Sequence, residues 1–83
     1  MKIVDCWIHD GKTAVYCTGE SVKQLVSKTT VNIGTTSYEI LGHDILISST
    51  GVVNVMLLLN TTDVFSTPQD ISCAISGDDL NDR

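Results

Sequence analysis

Val52–Asn60 carries apolar side chains on both faces of any strand it forms. Val53, Val55, Leu57 and Leu59 point one way; Val52, Met56 and Leu58 point the other, with Asn54 among them. Side chains alternate between faces along a strand, so a segment apolar on both must be covered on both sides. The cover can be a helix, closure of the sheet into a barrel, or a second subunit.

The rest of the chain supplies the sheet. Nine Val, eight Ile and ten Thr make β-branched residues unusually frequent among the 83. Such side chains are stiff at their first torsion and suit a pleated surface better than a helix. Lys2–Ile8 alternates, Asp10-Gly11 follows, and Thr13–Thr18 alternates again. An Asp-Gly pair between alternating runs signals a tight hairpin, because its turn requires positive φ at both central residues. With that pair at the centre, His9 faces Lys12, Trp7 faces Ala14, Cys6 faces Val15 and Asp5 faces Tyr16. The alternation then assigns Val4, Cys6, Ile8, Val15 and Cys17 to the core face. Ile3, Asp5, Trp7, His9, Ala14 and Tyr16 fall on the other.

Within Gly19–Lys28 the period changes. Val22, Leu25 and Val26 have helical spacing, and Ser21 with Gln24 has the spacing of a capping box, which predicts a helix of about two turns. Beyond it, Val31 and Ile33 alternate, Ser37–Leu41 forms a strand, and Gly42-His43-Asp44 reads as a turn. Ile45–Ser48 is a further strand, Ser49–Gly51 a turn, Thr61–Asp70 a loop, and Ile71–Ile75 the last strand. Residues 1–76 then form one small domain and 77–83 an acidic, flexible tail. The fold class that follows is mostly β: a small, partly open antiparallel barrel of about six strands with one short helix. The alternative is a two-layer α+β meander with the helix on one face.

Charge narrows the partners. Ten acidic residues against five basic ones give a net charge of −5, and no Lys/Arg run occurs. Phosphate backbones and anionic lipid are held by clustered cations, so neither direct nucleic-acid binding nor membrane binding is expected. The longest apolar run, Val55–Leu59, is far short of the roughly 20 residues that cross a bilayer. The N-terminus Met1–Asp5 has no apolar leader region, so the expected location is the cytoplasm. Three cysteines form no closed disulfide framework, and Cys6, Cys17 and Cys73 are expected to be reduced and mostly buried.

Catalytic chemistry finds no motif. There is no nucleophile elbow, no phosphate-cradling glycine loop, and Cys6-x-x-His9 divides between two faces of one strand. Neither an enzyme nor a cofactor or metal is expected. What remains is a surface. Trp7 and Tyr16 lie on the face opposite the expected core beside Ile3, and exposed aromatic patches commonly mark contacts. Trp7, Tyr16 and Ile3 are therefore the candidate interface residues, and His9 and His43 the candidate ligand-binding ones. The functional expectation is a non-catalytic interaction or assembly module, a small homo-oligomeric accessory protein of bacterial or phage type, with a host protein as a further partner. One alternative is an acidic decoy that inhibits a nucleic-acid-binding host protein, which needs Asp5, Glu20, Glu39, Asp44, Asp63 and Asp70 in one stripe. Another is a small-ligand sponge whose pocket forms between subunits around Trp7, Tyr16 and His43.

Overall fold

The computed structural model describes residues 1–73. The expected tail 77–83, the boundary at 76 and the last strand's extension to Ile75 lie outside them. Six strands close into an antiparallel barrel: β1 (Lys2–His9), β2 (Lys12–Thr18), β3 (Thr30–Ile33), β4 (Thr36–Ile47), β5 (Val53–Leu59) and β6 (Gln69–Cys73). Around the barrel the order is β1-β2-β5-β4-β3-β6. The sheet expected to be partly open is closed, because β6 bridges β3 and β1.

The first hairpin has the expected register. Asp10 and Gly11 take φ of 53° and 79°, and His9–Lys12, Trp7–Ala14, Cys6–Val15 and Asp5–Tyr16 are opposite pairs. Its core face is different from the alternation, however. Ile3 pairs with Cys17 while Asp5 pairs with Tyr16, so Val4 is an extra residue on β1. Such a bulge shifts the side-chain phase by one and turns every residue before it to the other face. Ile3, expected at an outer interface, is fully buried in the core. Of the residues expected inside, Val4, the extra residue itself, is exposed. Ile8 keeps the inward phase opposite buried Thr13 but is exposed where β1 has run past its pairing with β6.

The interior is one cluster in which Ile3, Val15 and Cys17 meet Val55, Leu57 and Leu59 of β5. Val31, Ile33 and Ile71 complete the wall. The expected short helix is present as a 3-10 helix, Val22–Ser27, of about two turns. Ser21 sits in the left-handed region at φ 69° and its side chain makes no cap, so the capping box does not form. Val22 and Leu25 of this helix enter the same interior cluster. The helix therefore covers the inner side of β5, not its outer side.

β4 is longer than the pattern of its residues suggests. Gly42-His43-Asp44, expected as a turn, lies inside a continuous twelve-residue strand. Ile40 pairs with Leu59 and Gly42 with Leu58, which makes Leu41 a second extra residue. Beyond it the ladder runs regularly from Gly42–Leu58 to Ile47–Val53. The turn that does occur follows Ser48, where the Ser48 amide donates to the Val52 carbonyl at 2.9 Å.

Candidate functional site

The register lines up outward-facing residues across four strands. One row runs Trp7, Ala14, Leu58, Gly42; the next runs Asp5, Tyr16, Met56, Asp44. At roughly 4.8 Å between strands, each row spans about 14 Å of the barrel's outer surface. The first row alternates large and small: an indole, a methyl, an isobutyl group and no side chain at all. Small members between large ones leave a depression, and an open cavity of about 350 Å³ lies there.

Trp7 and His9 border the cavity from β1 and Ala14 from β2. Met56 and Leu58 reach it from β5, and Gly42, His43 and Asp44 from β4. Three of the five sequence-derived site residues are thus brought together: Trp7, His9 and His43. The two histidines differ in geometry. His9 pairs with Lys12 on the outer face and lies 3.8 Å from the Asp10 carboxylate. His43 pairs with interior Leu57, so its side chain leaves the sheet on the face opposite Asp44 and borders the cavity only from behind the row.

The other two candidates are elsewhere. Ile3 is in the core, and Tyr16 belongs to the neighbouring row. There the Tyr16 hydroxyl accepts a hydrogen bond from Asn54 Nδ2 at 3.0 Å. That bond spans β2 and β5 and holds the half-buried phenol within its own sheet. Trp7 keeps 36% of its surface accessible. Cys6 and His9, weighed as metal ligands, leave β1 on opposite faces, since their partners are interior Val15 and outward Lys12.

A second feature lies at the far end of β4. Its first residues, Thr36–Glu39, pair with β3 on one side, whereas Gly42–Ile47 pair with β5 alone. Among the described residues this half of the strand has a free edge. It is also apolar: Leu41, Ile45, Leu46 and Ile47 are all exposed, Ile45 at 49% and Ile47 at 68%. Ile45 and Ile47 lie on the barrel-facing side of the ladder, opposite Val55 and Val53, but beyond the reach of the core. β1 has a free half as well, from Asp5 to His9, but it is blunted. There the Asp5 side chain accepts the Cys6 amide at 2.9 Å and occupies one edge donor.

Sequence reasoning missed both the cavity floor and the free edge for one reason. Reading Gly42–Asp44 as a turn cut β4 in two, which removed Gly42 and Asp44 from any face and made Ile45–Ser48 an ordinary short strand. The available signal was that Ile45-Leu46-Ile47 is apolar at every position, as Val52–Asn60 is.

Of the acidic residues a decoy needs, Asp5 and Asp44 share one outward row. Asp5 is on β1, Glu39 and Asp44 on β4, and Asp70 on β6 opposite Lys2 at 3.6 Å. Glu20 precedes the 3-10 helix, and Asp63 follows β5 as the acceptor of the Tyr38 hydroxyl at 2.8 Å. No helix among the described residues is long and apolar enough to cross a membrane. No family model, curated protein or solved structure matches the chain.

Proposed function

We propose that this protein is a non-catalytic assembly module that joins a second copy of itself along the free edge of β4. The observation that carries this reading is the coincidence of unsatisfied strand edge and exposed apolar side chains over Leu41–Ile47. An edge presents a row of main-chain donors and acceptors, and proteins that stay single guard it with Pro, Lys or inward charges. This stretch has neither Pro nor Lys, and its only acidic residue is Asp44. A twofold axis beside β4 would set the edge antiparallel to itself, so that each residue type meets its own partner surface. The two β1-β2-β5-β4 sheets would then continue into each other. Main-chain bonds would give the pairing its direction, and Ile45, Leu46 and Ile47 would pack beside their counterparts across the joint ladder.

Sedimentation equilibrium tests this. The expected particle has twice the 9.0 kDa chain mass. Ile45→Lys and Leu46→Lys, each placing a charge on an exposed edge position, should both give the single chain with an unchanged far-UV spectrum. A monomeric wild type at about 1 mM, or a dimer that survives both lysines, overturns the reading.

A further inference from the structure

The hydrogen-bond pattern of β4 restricts how two copies can meet along its free edge. In an antiparallel ladder, alternate residues turn their N–H and C=O toward the neighbouring strand, and the residues between turn them away. The Ser48 amide donates to the Val52 carbonyl at 2.9 Å, toward β5. Counting back along the regular ladder, Leu46, Asp44 and Gly42 also face β5, while Ile47, Ile45 and His43 face the free edge. The bulge at Leu41 shifts the phase once. Beyond it the Ile40 amide donates away from β5, to the Thr29 carbonyl at 2.8 Å. The edge is thus open from Gly42 to Ile47 and offers three donor–acceptor pairs, and Thr29 closes it at Ile40.

β1 offers less. Its two-residue turn makes His9 and Lys12 a hydrogen-bonded pair, so Ile8 and Cys6 carry the outward groups of its free half. The Cys6 amide is already taken by Asp5 Oδ1. One complete pair remains, at Ile8. A joint of β1 to β4 would propagate from copy to copy and is the poorer match, whereas β4 to β4 closes after two.

Outward groups must meet outward groups, so a twofold axis on this edge passes beside a residue and never between two. An axis beside Ile45 sets Ile45 against the partner's Ile45 and His43 against the partner's Ile47, and it engages all three pairs of each copy. An axis beside Asp44 opposes two carboxylates directly, which destabilises a ladder. It also sets Ser48 beside the partner's Ile40, where the partner's Thr29 already lies. An axis beside Leu46 leaves His43 facing the partner's Ser49, in the turn.

We propose that Ile45 lies on the twofold axis of the paired β4 strands, so that Asp44 faces the partner's Leu46. This rests on the assembly reading above and specifies its register. Ile45 and Ile47 then pack on the partner's Ile45 and His43. On the outward face, the partner's Leu46 and Ser48 stand beside Asp44 and Gly42, so the second copy walls the β4 side of the cavity.

Disulfide cross-linking reads this register. Single cysteines are introduced on the exposed edge, with Cys6 and Cys73 replaced by serine and Cys17 buried. Ile45→Cys should oxidise to a covalent dimer alone, because Cα atoms of a hydrogen-bonded pair lie about 5.5 Å apart. Asp44→Cys and Leu46→Cys should each stay single alone, their own counterparts being roughly 7–8 Å away on the diagonal. Mixed together they should cross-link, at about 4.5 Å. At least a tenfold excess of covalent dimer is expected for Ile45→Cys, and for the mixture, over either single variant. Should Ile45→Cys weaken the dimer, the mixture still reads the same register. Sedimentation equilibrium before oxidation separates register from assembly. Monomers throughout overturn the assembly reading and the register with it. A dimer in which Asp44→Cys or Leu46→Cys cross-links alone moves the axis and overturns the register only. A dimer with no cross-link in any of these proteins places the contact on another surface and overturns both.

Discussion

Ile3 and Cys17 face each other across the β1–β2 ladder in the barrel interior, and neither has any accessible surface. Their pairing depends on the bulge at Val4, which moves Ile3 into the phase of Val15 and Cys17 and leaves Val4 42% exposed. Burial at this point governs the thiol. Transfer out of water disfavours the thiolate, and the Cys17 group is pushed up to about 12.

Cys17 should therefore be chemically silent in the native protein. With Cys6 and Cys73 replaced by serine, a maleimide at pH 8 is expected to label Cys17 only as fast as the chain opens, and rapidly in urea. Prompt native labelling would contradict the burial. A pH effect follows with a definite sign. The unfolded thiol ionises near 9 and the folded one near 12, so the thiol form favours folding fully below 9 and that contribution declines as pH rises to 12. The loss is on the order of 1.4 kcal/mol per pH unit within that window. Cys17→Ala should flatten this part of the stability curve, whatever it does to the midpoint at neutral pH. An unchanged alkaline slope would assign the effect to another group.

The first hairpin was legible because Asp10-Gly11 pins its register locally. The two bulges were not, and for a physical reason. Val4 and Leu41 are themselves apolar, so an inserted residue leaves no break in the apolar pattern, only a hidden change of phase. The phase is set by pairing with β2 and β5, which is tertiary information. The same holds for Gly42-His43-Asp44, whose composition suits a turn but whose neighbours are fixed by a regular ladder to β5. The cavity residues Trp7 and His9 could be placed on the outer face from the hairpin alone, whereas Gly42, Asp44 and Met56 required the strand order.

Thr13 is the one fully buried polar residue among those described, and its position explains how the segment after β5 is held. Its amide donates to the Thr61 carbonyl at 2.9 Å, and its hydroxyl donates to the Asp63 carbonyl. Thr13→Val keeps the shape and removes the hydroxyl, leaving the Asp63 carbonyl without this partner. A loss of about 1–2 kcal/mol is expected in urea unfolding. Thr13→Ser keeps the donor and loses only a methyl group, so it should cost less. A Val variant as stable as wild type would show that water replaces the bond freely.

Tyr38 and Asp63 clamp the same segment from the other side. The phenol donates to Asp63 Oδ2 at 2.8 Å, and its ring meets Phe65 edge-on at 5.3 Å between centroids. Deprotonation would destroy that hydrogen bond and place two negative charges together, so the Tyr38 hydroxyl is raised above its ordinary range, the bond to Asp63 being the main cause. In a Tyr16→Phe background, tyrosinate absorbance should titrate above pH 10 and shift downward in Asp63→Asn. The bond contributes to stability below pH 10 and is lost as the pH rises through the raised value. Identical titrations in the two proteins would count against the contact.

Two glycine-to-alanine substitutions should have opposite signs, and together they isolate what Gly42 is for. At Gly11 the chain turns with φ at 79°, and alanine would be strained there although space is open. Gly11→Ala is expected to cost about 1–2 kcal/mol, with the β1–β2 hairpin the element that suffers. At Gly42 the backbone is ordinary strand and the space beyond is also open. Alanine there restricts the unfolded chain without straining the folded one, which should raise stability by about 0.4–1 kcal/mol. It also adds a methyl group to the floor beside Leu58, its partner across the ladder. Chemical unfolding of both variants under one set of conditions gives the comparison directly. A loss at Gly42 equal to that at Gly11 would mean that the bulge at Leu41 needs glycine after it, and the cavity would then be a by-product of the bend. A gain at Gly42 means that the chain forgoes stability at the one position where a side chain would narrow the cavity between Trp7 and Asp44.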